Sequence, residues 1–195
     1  KHDPPELRGM LSIDTAYEVM LGLLARHERA GGRLAGWKVG LTSKAIQAQI
    51  GLHEPVLGFL LESGHRSSGV TFELASLIAP RVENEVCITM GARLGGSEVR
   101  FEAARAAIAS IAPAFEIIEQ RHGATPDMAL MLADNGQQKA YVTGSEVPLG
   151  EIDLAMISVE VSVNGEVRER APGSAVLERG PIASVAWLAN KLATF

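Results

Sequence analysis

Cysteine is almost absent from this 195-residue chain, Cys87 being its single example. That excludes an intrachain disulfide framework and fits a reducing cytoplasm. Long apolar runs are missing too. No stretch approaches the roughly 18 residues of a membrane-spanning helix, and the opening Lys1-His2-Asp3-Pro4-Pro5 has no apolar signal region. It reads as the middle of a longer sequence. Lys and Arg form no cluster and the formal charge is −5, which argues against nonspecific nucleic-acid binding. There is no phosphate-cradling GxxxxGK[ST] motif. Gly91-Ala92-Arg93-Leu94-Gly95-Gly96 is too poorly spaced for a dinucleotide turn. Internal repeats and low-complexity segments are absent as well.

What is present is concentrated in Arg81-Val82-Glu83-Asn84-Glu85-Val86-Cys87-Ile88-Thr89, a strand-like run with two carboxylates two residues apart. In a strand, residues i and i+2 share a face. Glu83 and Glu85 therefore stand side by side with Cys87, and Val82, Asn84, Val86 and Ile88 face the other way. Two like charges that close repel, and burying them unpaired costs several kcal/mol. A divalent cation between them is the economical remedy, because hard ions take carboxylate oxygens and keep positions open for water and substrate. The bland alternative is a solvated strand face paired with Lys or Arg. Cys87 reads as a small core residue rather than a nucleophile.

Along the chain, Ser12-Ile13-Asp14 caps a helix over Thr15–Arg29 that Gly31-Gly32 ends. Leu34–Leu41 reads as a strand, Lys44–Gln49 as a helix with Ser43 at its N-cap and Gly51 at its stop. Phe59-Leu60-Leu61 is a short apolar run, followed by a polar loop over Glu62–Gly69. Strands are expected at Glu73–Ala79 and Val82–Met90, an Ala-rich helix at Phe101–Ile111, and a strand at Phe115–Ile118. Arg121–Asp134 is ambiguous, with a Pro126-Asp127 start and a body suited to a short helix. Ala140–Thr143 is extended. Met156–Val163 alternates and turns at Asn164-Gly165 into Glu166–Arg170, a hairpin signal. A last helix spans Ala183–Ala193. The mixture lacks strict βαβ alternation, so the expected class is α+β, a mostly β core with peripheral helices.

Four pieces stand out together. They are the Glu83/Glu85 pair, Glu116 embedded in Pro113-Ala114-Phe115-Glu116-Ile117-Ile118, Lys38 among the glycines of Gly36-Trp37-Lys38-Val39-Gly40-Leu41-Thr42-Ser43-Lys44-Ala45, and Asp134-Asn135 after an apolar run. Taken singly, Glu116 reads equally as a partner of Arg and Lys38 as a snorkelling surface lysine. In order and spacing, these segments resemble the hydratase/decarboxylase family of meta-cleavage pathways, within the fumarylacetoacetate hydrolase-like superfamily. Asn164-Gly165-Glu166-Val167, Gly173-Ser174-Ala175-Val176-Leu177 and Ala186-Trp187-Leu188-Ala189-Asn190 extend the resemblance over nearly the whole chain.

The resemblance implies a β-rich fold around a Mg²⁺ or Mn²⁺ site, with Glu83, Glu85 and Glu116 matching the ligands and Lys38 the active-site lysine. It places Leu41, Thr42, Ser43, Val56, Asp134 and Asn135 against substrate. It also implies a helical segment over 1–32, a catalytic domain over 33–195 whose closing C-terminal strands are missing, a homo-oligomer, and association with a related hydratase or decarboxylase. The metal would chelate the carboxylate and 2-oxo oxygens of an unsaturated 2-oxo acid and stabilise the dienolate formed from it.

Departures from the family pattern set the expected reaction. Hydratases of the family carry Asp after the proline matched by Pro55, and decarboxylases an aliphatic residue. Val56 stands there in this chain, and an apolar wall favours loss of CO₂. Gly36-Trp37-Lys38 points weakly the same way. Decarboxylation of a 4-oxalocrotonate-like substrate is therefore the leading expectation. The second is hydration of a 2-hydroxypenta-2,4-dienoate, with Glu62 as the relocated acid. A non-catalytic partner subunit is the third, and retention of the three acids and Lys38 argues against it. Glu119-Gln120-Arg121-His122, Gly136-Gln137-Gln138 and Leu177-Glu178-Arg179-Gly180-Pro181 also depart from the family.

Overall fold

The computed structural model describes residues 5–122 and 127–195. The opening tetrapeptide, and Pro126 at the expected helix start, lie outside them. In chain order the elements are α1 (Ile13–Arg29), β1 (Leu34–Gly40), α2 (Lys44–Ile50), β2 (Val56–Leu61), β3 (His65–Ser67), β4 (Pro80–Met90), α3 (Phe101–Ala106), β5 (Ile108–Glu119), α4 (Met128–Ala133), β6 (Gln138–Thr143), β7 (Val147–Pro148), β8 (Ser158–Val163), β9 (Glu166–Pro172) and α5 (Pro181–Leu192). The class is α+β, as expected. The chain divides into two compact units. The described residues of the first fall in Lys1–Gly40, Val56–Glu85 and Ala114–Gly144, those of the second in Leu41–Pro55, Val86–Pro113 and Ser145–Phe195.

In the first unit, Ser12 caps α1 by accepting a hydrogen bond from the Thr15 backbone N–H at 3.1 Å. Asp14 and the basic Arg26, His27 and Arg29 suit the two ends of the helix dipole. Ala16, Tyr17, Met20 and Leu24 recur on one face and are buried, and α1 packs on α4. β1 and β2 pair antiparallel, with Lys38 opposite Gly58 and Gly40 opposite Val56. The other sheet runs β3-β6-β5-β4, and Glu116 on β5 stands opposite Tyr141 on β6.

The second unit has its own core, in which Ala104, Ile108, Ile111, Leu149, Leu154 and Ile182 are buried together. There β7 pairs with β5 at Ser110 and Ile111. The β8–β9 hairpin turns through Asn164 (φ 54°) and Gly165 (φ 82°), the two positive values a tight hairpin turn requires. No helix among the described residues is long and apolar enough to cross a membrane.

Three local expectations need correction. The helix expected over Phe101–Ile111 stops at Ala106, and Ile108 instead begins a twelve-residue strand that continues through Pro113. The expected strand at Glu73–Ala79 is a short 3₁₀ turn at Leu74–Ser76. Its Ser76 hydroxyl donates to the Glu73 carbonyl at 2.7 Å, a local bond that competes with strand pairing. The polar segment after β2 is not all loop, because His65–Ser67 pairs in parallel with β6.

Candidate active site

β4 and β5 supply three carboxylates to the first unit. Glu83 and Glu85 share a face of β4, and Glu116 comes from β5, next to β4 in the sheet. Carboxylate oxygens of the three lie within 4.8 Å of one another. Glu116 is buried, whereas Glu83 and Glu85 are exposed as residues.

Such a cluster strains its own ionisation. Burial is the first cause raising the Glu85 carboxyl from 4.5 to about 7, with the charges of Glu116 and Glu83 adding to it and Lys38 opposing. Glu85 is exposed as a residue, yet burial comes first among the causes that raise its carboxyl. Glu116 is also pushed up by burial, and the neighbouring Lys38 pulls it back. One positive charge is in place already. Lys38 Nζ lies 2.9 Å from Glu116 Oε1, with both side chains largely buried. The ammonium is thus a close polar neighbour of this buried oxygen, by charge and by hydrogen bonding. A lone ammonium cannot neutralise three carboxylates. An all-oxygen set of three carboxylates converging within 4.8 Å fits a hard divalent ion.

The seat of Lys38 is built from two glycines. A Cβ on Gly58 would lie 2.8 Å from Asn135 Oδ1 and 3.0 Å from Lys38 Cε, and one on Gly136 would lie 2.7 Å from Lys38 Nζ. Only hydrogen at both positions leaves room for the aminoalkyl chain. Lys38 Nζ also donates to the Gly136 carbonyl at 3.3 Å. Asn135 is occupied elsewhere. Its side-chain oxygen accepts from the Phe59 N–H at 2.7 Å, and its amide nitrogen donates to the Phe59 carbonyl at 2.9 Å. It thus stands in for a strand along the open edge of β2.

Val56 and Gly58 share a face of β2, and their partners Gly40 and Lys38 share the matching face of β1. Val56 therefore stands one pair along from Lys38 on the same face. Asp134 accepts from Arg121 Nε at 2.6 Å and contacts His122 Nε2 at 3.0 Å. The structure does not bring Glu62 to the cluster. It pairs with Arg33 at 3.2 Å, about 13 Å along the strand from Gly58 at the usual rise per residue. Leu41, Thr42 and Ser43 belong to the second unit. There the Leu41 carbonyl accepts from Gln47 Nε2 at 2.7 Å, and the Thr42 carbonyl from the Leu177 N–H at 3.1 Å. Ser43 occupies the N-cap of α2 without a side-chain bond.

Sequence reasoning missed Gly58, Gly136 and Arg121 as parts of this arrangement. The unusual Glu119–His122 and Gly136–Gln138 stretches were the only signal.

No family model matches the chain. A 2-hydroxyhexa-2,4-dienoate hydratase from Comamonas testosteroni is 34% identical over 192 residues, which cover 95% of this chain and 71% of that protein. A 4-oxalocrotonate decarboxylase from Pseudomonas putida is 34% identical over 194 residues, 98% of this chain and 72% of that one. The chain belongs to the hydratase/decarboxylase family. A solved structure from this family, 4-oxalocrotonate decarboxylase from Pseudomonas putida G7 complexed with magnesium and adipate, matches with a TM-score of 0.89. The match is 33% identical and covers 99% of this chain and 75% of that one. Family membership gives the cluster of Glu83, Glu85, Glu116 and Lys38 its context: the relatives named above are a dienoate hydratase and 4-oxalocrotonate decarboxylases.

Proposed function

We propose that this protein is a divalent-metal-dependent lyase of unsaturated 2-oxo acids, and that it decarboxylates a 2-oxohex-3-enedioate-like substrate. The observation that carries the reading is the convergence of three carboxylates within 4.8 Å with the Lys38 ammonium 2.9 Å from one of them. Glu83, Glu85 and Glu116 would hold Mg²⁺ or Mn²⁺. When bound, the ion supplies positive charge that stabilises negative charge developing on the 2-oxo oxygen of a substrate.

The chain's own residues do the rest. Glu116 pairs with Lys38 at 2.9 Å, and Gly58 and Gly136 leave the space its side chain occupies. From there Lys38 either binds a substrate carboxylate or delivers the proton that replaces CO₂ on carbon. Val56 beside it offers no solvation to a departing carboxylate, which favours that departure. The adipate held by the related decarboxylase is a six-carbon dicarboxylate, the chain length of the proposed substrate.

Hydration of 2-hydroxypenta-2,4-dienoate is the second reading, favoured by the equal identity to a dienoate hydratase. The ion pair of Glu62 with Arg33 counts against its use as the relocated acid. We further propose a homo-oligomer that associates with a related hydratase or decarboxylase in the cytoplasm. Exposed Val82 and Met156 support association, and free Cys87 supports a reducing compartment. Sedimentation showing only monomer would sink the oligomer.

The test offers each substrate separately with Mg²⁺ or Mn²⁺ and follows CO₂ and products. CO₂ from 2-oxohex-3-enedioate alone is the expected result. Turnover of the dienoate alone would replace the decarboxylase reading with the hydratase one.

A further inference from the structure

Between α4 and β6 the backbone enters the left-handed region at three consecutive residues, Asn135 (φ 55°), Gly136 (φ 60°) and Gln137 (φ 62°). Two of these are not glycine, so the turn is strained and persists only if its surroundings over-determine it. It is also the turn that serves Lys38. Its middle carbonyl, on Gly136, accepts from the ammonium, and Asn135 ties the neighbouring Phe59 backbone.

Arg121 spans this turn. One guanidinium donates to Asp134 Oδ2 at 2.6 Å and to the Asp134 carbonyl at 3.3 Å on the near side of the turn. It also donates to the Gln138 carbonyl at 3.4 Å on the far side. A fourth bond reaches Glu119 Oε2 at 3.0 Å. Glu119 is itself buried and anchored, accepting from the Ile78 N–H at 3.1 Å and facing Lys139 Nζ at 3.6 Å. The planar, multi-donor fork of arginine can grip both ends of the turn at once, which a lysine ammonium on its single stem does not reproduce.

We infer that Arg121 is a positioning residue for Lys38: by clamping Asp134 and Gln138 it holds the Asn135–Gln137 turn in its left-handed form, which places the Gly136 carbonyl against the ammonium. Arg121 touches neither Lys38 nor the three carboxylates by any described contact, so its action runs through the turn. The inference rests on the reading that Lys38 acts on substrate.

The experiment compares wild type, Arg121→Lys, Arg121→Ala and Lys38→Met in the full chain. Turnover is measured with Mg²⁺ on 2-oxohex-3-enedioate and on 2-hydroxypenta-2,4-dienoate, whichever the wild type converts. The rate of Lys38 labelling by an amine-selective reagent, read by mass spectrometry on metal-free protein, is the second readout. Arg121→Lys should lower kcat by about 10- to 100-fold, the scale of a small misplacement of a catalytic group. Its KM and Mg²⁺ affinity should stay within about twofold, and its Lys38 labelling rate should change several-fold while other lysines label as before. Added guanidinium should restore part of the lost kcat in Arg121→Ala. A lower Tm with unchanged kcat and unchanged Lys38 labelling in Arg121→Lys would reduce Arg121 to a structural residue and overturn the inference. Should Arg121→Ala fail to fold, the Arg121→Lys results decide alone. Full turnover by Lys38→Met would instead overturn the reading of Lys38 on which the inference rests.

Discussion

At the scale of residues, the site is a problem in charge. Glu85 is raised from 4.5 to about 7 by burial and by Glu116 and Glu83. A carboxyl raised on folding favours the folded state most below its unfolded value, and that contribution is lost as pH climbs from 4.5 through about 7. The metal-free protein therefore loses stability across this window. A divalent cation binds the ionised form, so its stabilising effect grows over the same window. Saturating Mg²⁺ should raise Tm more at about pH 8 than at about pH 6, and Glu85→Gln should flatten the difference. Equal shifts at both pH values would contradict this account of Glu85. The spacing of Glu83 and Glu85 was legible because strand periodicity alone puts them on one face. The seat of Lys38 was not, because its carbonyl acceptor lies 98 residues away. No local pattern says that Gly58 and Gly136 must be glycine to admit an aminoalkyl chain.

Elements were legible where local chemistry and tertiary need agree. Ser12 at the start of α1, Gly51 (φ 73°) after α2 and Asn164-Gly165 in the β8–β9 hairpin all have the roles their residue types suggest. They failed where the two conflict. The Ala-rich run after Phe101 has helical propensity, but Ile108 and Ile111 bury in the second unit's core from an extended backbone. Pro113 lies inside β5. It falls after the residues of β5 that pair with β7 and before those that pair with β6, so on that side its missing N–H costs no ladder bond. Short α4 depends on its cap. Asp127 accepts from the Leu130 N–H at 3.0 Å and the Gly9 N–H at 2.7 Å, and these bonds hold its carboxyl below the ordinary value. Asp127→Ala should therefore cost about 1 kcal/mol, measured by urea unfolding. An unchanged midpoint would mean that the cap contributes nothing to α4.

At the scale of the whole molecule, the fold class was readable, and so was the convergence of Glu83, Glu85 and Glu116. The class followed from segment types, and the convergence of the three acids from motifs whose order matches a family that the chain belongs to. The division into two units was not readable, since β4 and β5 each contribute residues to both and no composition shift marks a boundary within a strand. The four groups of the proposed centre, Lys38, Glu83, Glu85 and Glu116, all fall within the first unit, drawn from three strands far apart in sequence. Only the folded chain can gather them. The central claim is that this gathering holds a divalent cation, and calorimetric titration of Mg²⁺ and Mn²⁺ into the metal-free full chain tests it most directly. Wild type should bind one ion per chain, and Glu83→Gln and Glu116→Gln should each weaken it at least about tenfold while remaining folded. Unchanged affinity in both folded variants would contradict the account.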